Sequence, residues 1–333
     1  MKHVDLEGLT YGDVLIIPNY SDIPTREDID IRTEYLGRKR VPIMSAPMDT
    51  VSGPAMVEAL YRANAYGVLH RFGNDIEEDV IDILKENIAT EIGISIGVKD
   101  WEKTKRLLDR LIPAYKIHSI TIDVAHGYHA LVGETITNIK ENYEDIYVIA
   151  GNVATGDGFK QLADWGADAV RVGIGPGSAC TTRETTGVGV PQLSALRWIG
   201  FAKLDWGYDT TIIADGGIQN PGDIAKALAM GADVVMLGRL LAGADEAPGK
   251  VRGHMKSYSG QSTKGSNGLR GAPEGVEGWV ERTGPVAKTI ETFTHYLRSS
   301  FSYVGARNIE EFRDRVTFLK VSPATHLESG VRI

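Results

Sequence analysis

Residues 211–238 read TIIADGGIQNPGDIAKALAMGADVVMLG and contain two apolar runs with a helical pattern between them. The runs 211–217 and 234–238 are rich in valine and isoleucine, and each ends in glycine. Nearly continuous apolar runs are typical of parallel strands that are covered on both faces, and parallel strands need a crossover between them. This stretch therefore predicts two parallel strands joined by a helix.

Working outward, six earlier runs show the same character, and helical patterns separate them. One such pattern carries an apolar stripe at Leu107, Leu108 and Leu111. Eight strands that alternate with helices predict an α/β fold of the (β/α)8 TIM-barrel type. A doubly wound open sheet shows the same alternation, and strand count alone does not exclude it. The eight predicted strands are 41–47, 66–72, 92–98, 119–125, 146–153, 169–175, 211–217 and 234–238.

Residues suited to chemistry follow these runs at their C-terminal ends. In a barrel, those ends meet on the face that carries active sites. Gly216, Gly217 and Gly238 follow the last two strands, where barrels commonly bind phosphate on backbone N–H groups. Two adjacent glycines alone are more often a plain turn. Together with Gly238 and Ser178 they predict a site for a phosphomonoester.

The single cysteine of the chain, Cys180, lies in the loop GIGPGSACTTR at residues 173–183. A lone cysteine is often a small buried apolar residue. Here glycines allow the backbone to approach a ligand, successive loop N–H groups can form an anion nest, and Arg183 favours the thiolate. The context therefore predicts a nucleophile.

Composition excludes several classes of protein. The chain has 333 residues, is 42% hydrophobic and 24% charged, and carries a net charge of -8, which argues against nucleic acid as a partner. One cysteine excludes an internal disulfide and a cysteine-built zinc site. The N-terminus lacks the apolar core of a signal peptide, and no run is long enough to span a bilayer. We therefore expect a cytoplasmic protein without a membrane partner.

An ordered series of motifs supports a more specific assignment. It consists of GLTYGDVL at 8–15, GIGPGSACTTR at 173–183, GVGVPQ at 187–192, ADGGI at 214–218 and PEGVEG at 273–278. In this series the chain resembles the IMP dehydrogenase and GMP reductase family. The resemblance implies a purine nucleotide oxidoreductase that takes a purine nucleoside monophosphate, GMP or IMP, and a nicotinamide cofactor.

The resemblance also implies residue roles. Cys180 would attack purine C2 and form a covalent thioimidate, Thr182 would orient the leaving or attacking group, and Glu274 would contact the purine and assist proton transfer. The implied substrate-binding residues are Met48, Ser178, Asp215, Gly217, Gly238, Arg239, Tyr258 and Gly260. The implied cofactor-binding residues are Asp123, Asn152 and Gly173. Gly173, Gly175 and Cys180 are the candidate ligands of a potassium ion.

Two departures from the family matter, and only the second indicates the direction of the reaction. Dehydrogenases usually carry a regulatory CBS insert after the second strand; this chain lacks it, but short dehydrogenases lack it as well, so its absence alone does not select the reductase. In dehydrogenases the flap also carries an Arg-Tyr pair that activates water; here residues 261–272 read QSTKGSNGLRGA, with Arg270 and no tyrosine beside it. We therefore predict a GMP reductase that uses NADPH, with IMP dehydrogenase and NAD as the alternative. Residues 240–249 and 328–331 resemble dehydrogenases and keep that alternative open.

The same comparison gives an expected organisation. Residues 1–333 would form a single barrel domain with a mobile flap at about 253–280 and a C-terminal tail at about 318–333, and the family implies a homotetramer. Two readings from other classes also remain. A Schiff-base aldolase or synthase would need a lysine at a strand end, for which Lys99 is the candidate. A catalytically inactive binding protein would not need Cys180, Thr182 and Glu274 together.

Overall fold

The computed structural model describes residues 7–72, 76–85, 91–260 and 275–329. Its strands are β1 Val14–Ile16, β2 Thr33–Tyr35, β3 Arg38–Arg40, β4 Ile43–Ser45, β5 Val68–Leu69, β6 Ile92–Ile96, β7 Ile117–Ile122, β8 Tyr147–Val153, β9 Ala169–Val172, β10 Thr211–Asp215, β11 Val234–Leu237, β12 Val251–Arg252, β13 Met255–Ser259, β14 Glu277–Glu281 and β15 Phe318–Lys320. Its α-helices are α1 Pro54–Arg62, α2 Ile76–Lys85, α3 Trp101–Ala114, α4 Ala130–Asn142, α5 Gly156–Asp164, α6 Thr182–Thr186, α7 Gln192–Trp206, α8 Pro221–Ala229, α9 Arg239–Ala242, α10 Val286–Val304, α11 Ile309–Arg315 and α12 Ala324–Ser329.

The strands β4 to β11 form one parallel eight-stranded sheet. Its order is β4-β11-β10-β9-β8-β7-β6-β5, so each strand except β4 lies beside its neighbours in sequence. The ends of the sheet meet because the Ser45 N–H donates to the Tyr66 carbonyl at 3.0 Å and the Tyr66 N–H donates to the Ile43 carbonyl at 3.1 Å. This closure confirms the predicted TIM barrel and excludes the open doubly wound sheet.

Burial explains why these runs form barrel strands. Every residue of β4, β6, β9 and β11 is buried, as expected where helices cover the outside and side chains fill the inside. On α3, Leu108 and Leu111 of the predicted stripe are buried, and Leu107 packs partly buried against the core. Seven of the eight predicted runs contain the whole expected strand, and the run 119–125 overlaps β7, which begins two residues earlier.

The lower end of the barrel, where the strands begin, is closed by the β2–β3 hairpin. Arg40 is 2% exposed and lies over the rings of Tyr35 and Tyr66, with its guanidinium carbon 5.5 Å and 5.0 Å from their centroids. The same guanidinium pairs with Glu91 and donates to the Tyr35 carbonyl. Packed side chains therefore fill this end of the barrel.

The upper end, where the strands stop, carries added structure. β12, β13 and β14 form an antiparallel sheet, and β14 follows directly after a pairing between Gly275 and Cys180. The sheet thus reaches from the barrel rim to the cysteine loop. Within the described ranges, no helix combines the length and apolar character that crossing a bilayer requires.

Candidate active site

A cavity of about 190 Å³ opens at the upper end of the barrel. Its walls come from the ends of the barrel strands, the cysteine loop and β13. Most residues predicted from sequence line this one cavity, namely Met48, Asn152, Gly173, Gly175, Ser178, Cys180, Thr182, Asp215, Gly217, Gly238, Arg239, Tyr258 and Gly260. The structure thus brings them together, and their individual roles remain predictions.

The cysteine loop presents its thiol to the cavity. Cys180 is exposed, and its Sγ donates to Thr182 Oγ1 over 3.2 Å. The loop is held from one side because the Val276 N–H donates to the Ala179 carbonyl at 3.1 Å. Burial lowers the pKa of the nearby Arg183 guanidinium, while the charge of a Cys180 thiolate acts in the opposite direction. Whether Arg183 favours the thiolate of Cys180 stays a prediction.

Gly173 shows why glycine is needed where this loop begins. Its φ is +149°, and a Cβ placed on it would lie 2.0 Å from the Asp215 carbonyl oxygen. Any side chain would push β9 and β10 apart at the cavity floor. The close approach puts the start of the cysteine loop directly beside Asp215.

Ser178, Tyr258 and Arg239 form a candidate cradle for an anion on the cavity wall. Ser178 Oγ and the Tyr258 hydroxyl are 3.3 Å apart. Burial raises the pKa of Tyr258, with the Ser178 hydrogen bond acting against the shift, so the phenol stays a donor at neutral pH. Arg239 is exposed on the cavity wall, and its guanidinium forms no hydrogen bond or ion pair with the described residues. The cradle therefore offers hydroxyl donors and one uncommitted positive charge.

A buried ionic network forms the cavity floor. Arg171 is 4% exposed; its Nη1 donates to Asp123 Oδ1 at 2.8 Å, and its Nε and Nη2 donate to Asp215 Oδ2 at 3.0 Å and 2.8 Å. Asn152 Nδ2 donates to the same Asp215 oxygen at 2.7 Å. Burial alone would lower the pKa of Arg171, but the two carboxylates outweigh it and raise the pKa above its ordinary value.

Asp123 does not line the cavity in the way that its predicted role suggests. It is 2% exposed, and its carboxylate faces Arg171 and also Arg71, whose Nε lies 3.5 Å from Asp123 Oδ2. The next residues, Val124 and Ala125, line the cavity instead. Asp123 therefore lies behind the cavity wall, next to residues that line it.

Sequence reasoning missed Arg171. A lone arginine inside the apolar run AVRV of β9 was the available signal, because a charge in a strand covered on both faces must find counter-charges. Asp215, at the end of the neighbouring β10, and Asp123, just after β7 two strands away, supply them.

Other predicted residues lie elsewhere. Glu274 and Arg270 lie outside the described residues, as do half of the predicted flap, residues 261–274, and the last residues of the tail. Lys99, the Schiff-base candidate, is exposed and does not line the cavity. Among the described residues, no three or more His, Cys, Asp or Glu side chains cluster so that they could hold a metal ion. The cavity therefore offers the thiol of Cys180 rather than the amine of Lys99 as a nucleophile.

Comparison with known proteins identifies the family of this chain. A family model described as "IMP dehydrogenase / GMP reductase domain" matches residues 8–332. The chain is 36% identical to the GMP reductase of Ascaris suum, over 98% of this chain and 97% of that protein, and 36% identical to the GMP reductase of Oceanobacillus iheyensis, over 91% and 93%. It is 32% identical to the inosine-5'-monophosphate dehydrogenase of Aquifex aeolicus, over 98% and 95%. The chain therefore belongs to the IMP dehydrogenase / GMP reductase family of purine nucleotide oxidoreductases.

Proposed function

We propose that this enzyme is a GMP reductase, which converts GMP, NADPH and a proton to IMP, ammonia and NADP+. The observation that carries the proposal is the exposed Cys180 thiol, bonded to Thr182 at 3.2 Å beside the Ser178–Tyr258 cradle. A nucleotide whose 5'-phosphate occupies the cradle would place its base toward Met48 and the thiol. Asp215 would accept hydrogen bonds from the ribose hydroxyls. Gly217, Gly238, Arg239 and Gly260 complete the proposed contacts to the nucleotide.

The proposed chemistry balances with GMP, one proton and the hydride of NADPH. The Cys180 thiolate forms a bond to purine C2, the bond between C2 and the amino nitrogen breaks, and the amine takes one proton and leaves as ammonia. The covalent thioimidate then receives a hydride at C2, the C–S bond breaks, and the thiolate is regenerated. Thr182, already bonded to the thiol, is placed to pass a proton toward the departing amine. Glu274, outside the described residues, is the further candidate for that proton.

The side chain of Asn152 fits the carboxamide of a nicotinamide. Asn152 uses its amide N–H groups on the Gly173 carbonyl at 2.9 Å and on Asp215 Oδ2. Its Oδ1 has no partner among the described residues and suits the N–H of a carboxamide. A bound nicotinamide would supply or accept the hydride. Asn152, Gly173 and the wall fixed by Asp123 would orient the ring.

The direction of reaction rests on the flap sequence. Hydrolysis of the thioimidate needs a base within reach of water, and general-base assistance is worth roughly 100-fold to 10,000-fold. Arg270 has no tyrosine beside it to form the activating pair. The relatives include both reductases and dehydrogenases at similar identity, so the flap argument decides for the reductase, and dehydrogenation of IMP with NAD is the second candidate.

The test follows absorbance of the reduced nicotinamide with GMP plus NADPH and, separately, with IMP plus NAD. We expect steady oxidation of NADPH with GMP. With IMP and NAD we expect at most a burst, with a covalent adduct on Cys180 visible in the intact mass. Arg270→Ala should leave GMP reduction largely intact. Steady release of XMP, abolished by Arg270→Ala, would establish the dehydrogenase instead.

Finer features belong to the same proposal. NADPH is the proposed cofactor rather than NADH, and a homotetramer the proposed assembly, which the mass of the complex in solution tests. Residues 1–333 are proposed as one barrel domain, with residues 70–91 alone between β5 and β6. Potassium is proposed on the carbonyls of Gly173, Gly175 and Cys180. Those of Gly175 and Cys180 accept no hydrogen bond from the described residues, so both oxygens suit a cation.

A further inference from the structure

Asp215 has one oxygen committed and one available. Its Oδ2 accepts three hydrogen bonds, two from Arg171 and one from Asn152. Its Oδ1 accepts none from the described residues. A carboxylate oxygen with three donors has little capacity for more, whereas Oδ1 keeps its lone pairs. If Asp215 binds ribose hydroxyls, it does so through Oδ1, and Arg171 fixes where that oxygen points.

Arg171 also holds a second wall of the cavity. Its Nη1 bonds Asp123, and the carbonyl of Asp123 accepts from Arg71 Nη2 at 3.3 Å while its N–H donates to the Ile96 carbonyl at 2.9 Å. Val124 and Ala125, which line the cavity, continue directly from this anchored residue. One buried guanidinium therefore joins the carboxylate proposed for the ribose to the wall proposed for the nicotinamide.

We propose that Arg171 is a positioning residue that couples recognition of the ribose hydroxyls to hydride transfer. The inference rests on the proposed function, which places the ribose at Asp215 and the nicotinamide near Val124 and Ala125. Arginine suits this task because its planar fork directs separate donors at two carboxylates at once. Lysine, a point charge on a flexible stem, cannot hold both in fixed directions. A ribose hydroxyl bound at Asp215 Oδ1 thus fixes the position of the Arg171 guanidinium. Through its bond to Asp123, the guanidinium in turn fixes the adjoining cavity wall.

The experiment compares GMP with 2'-deoxy-GMP in the wild type and in Arg171→Lys, at saturating NADPH. In the wild type we expect the missing hydroxyl to lower kcat by about 10-fold, besides raising KM. In Arg171→Lys the two nucleotides should share the same kcat within about 2-fold, while 2'-deoxy-GMP keeps its higher KM because Asp215 is still present. A purely structural role would lower kcat for both nucleotides equally.

Two further variants keep the test decisive. Arg252→Lys makes the same substitution at an exposed arginine outside the cavity, and it should retain the 10-fold difference in kcat. Asp123→Asn breaks the link from its other end with little change of shape. It should lose the kcat difference as Arg171→Lys does, and it replaces that variant if the lysine variant does not fold.

The proposal is overturned if the wild type distinguishes the nucleotides in KM alone, or if Arg171→Lys or Asp123→Asn retains the wild-type difference in kcat. Failure of the proposed function gives a different result, in which the wild type oxidises IMP with NAD and does not reduce GMP. The same comparison of kcat then uses IMP and 2'-deoxy-IMP and tests Arg171 independently of the direction of reaction.

Discussion

The two ends of the barrel use buried charge in opposite ways. At the lower end, Asp233 accepts from the Ile212 N–H at 2.8 Å and pairs with Lys203 and Arg313, each at 2.9 Å, so both carboxylate oxygens are occupied. At the upper end, Asp215 Oδ1 and the Arg239 guanidinium lack partners among the described residues. A polar group left unbonded near a cavity costs stability, and a ligand can supply the missing bond. In this barrel, fully paired charged groups stabilise the lower end, and charged groups without a protein partner lie at the end proposed for catalysis.

The lower end repeats one device. Gly-Ala-Asp occurs at 166–168 before β9 and at 231–233 before β11. Asp168 accepts a hydrogen bond from the Val148 N–H and pairs with Lys140, both at 2.6 Å. Asp233 makes the corresponding contacts with Ile212 and Lys203. In both cases, a carboxylate just before one strand fixes the start of the preceding strand and the end of a helix. Asp233 has Arg313 as an additional partner.

The substitution Cys180→Ala at the upper end should show the largest difference between an effect on turnover and an effect on stability. We expect turnover to fall by at least about 10,000-fold, because the covalent bond to purine C2 cannot form. The free energy of unfolding should hardly change, since the side chain is exposed. GMP binding should also persist, because the cradle for the phosphate is intact.

Steady-state assays with GMP and NADPH, denaturant unfolding and GMP titration measure these quantities. Cys180→Ser is the matched variant, since it keeps nearly the same size but replaces the thiol with a hydroxyl, which does not form a thiolate. Substantial turnover in Cys180→Ala would show that the reaction does not pass through the cysteine.

The converse change is Asp233→Ala at the lower end. It leaves Lys203 and Arg313 beside each other without their counter-ion, and breaking a buried pair costs about 3 kcal/mol. Asp168→Ala should cost less, because Asp168 pairs with Lys140 alone among the cations described. In both variants, kcat of the folded enzyme should stay at the wild-type value.

Denaturant unfolding gives the stabilities, and Asp314→Ala on α11 is the control, since Asp314 is exposed and forms no ion pair with the described residues. The contrast between the ends fails if Asp233→Ala lowers kcat and leaves the unfolding free energy unchanged.

The fold was predictable because its signal is local. Eight runs rich in valine and isoleucine, three of which end in glycine, can be read without knowing which strands touch. The antiparallel sheet of β12, β13 and β14 was not predicted as such. Its strand β14 has mostly exposed residues, so it lacks the apolar pattern that reveals a half-buried strand.

The site was predictable where residues carry chemistry at strand ends, as Cys180 and Asp215 do. Arg171 and the Gly-Ala-Asp repeat were missed because their meaning depends on partners far apart in sequence. Arg171 is 48 residues from Asp123 and 44 from Asp215. Counter-charges at such separations can be recognised only after the barrel brings the strand ends together.

A smaller effect should follow from Arg239→Ala at the upper end. The uncommitted guanidinium is expected to contact the 5'-phosphate, and loss of such a charged contact at an exposed position should weaken GMP binding by about 10-fold. Binding of guanosine, which lacks the phosphate, should not change. Calorimetric titration of both ligands measures this, with Arg252→Ala, an exposed arginine outside the cavity, as the control. Equal weakening of GMP and guanosine would place Arg239 away from the phosphate.

The finest test of the closed lower end is the pH dependence of stability. Burial alone would raise the pKa of Asp233, but Lys203, Arg313 and the Ile212 N–H outweigh it and hold the pKa below its ordinary value. A carboxyl group whose pKa is lower in the folded state stabilises the fold above its unfolded pKa of about 4, and that contribution is lost as the pH falls through the folded pKa. We therefore expect the free energy of unfolding to decline more steeply below about pH 4 in the wild type than in Asp233→Asn, because the variant has one fewer proton to bind on unfolding. Urea unfolding between neutral and acidic pH measures both slopes. Identical slopes would show that Asp233 titrates alike in the folded and unfolded chains, and the ion pairs at the lower end would then contribute nothing to acid stability.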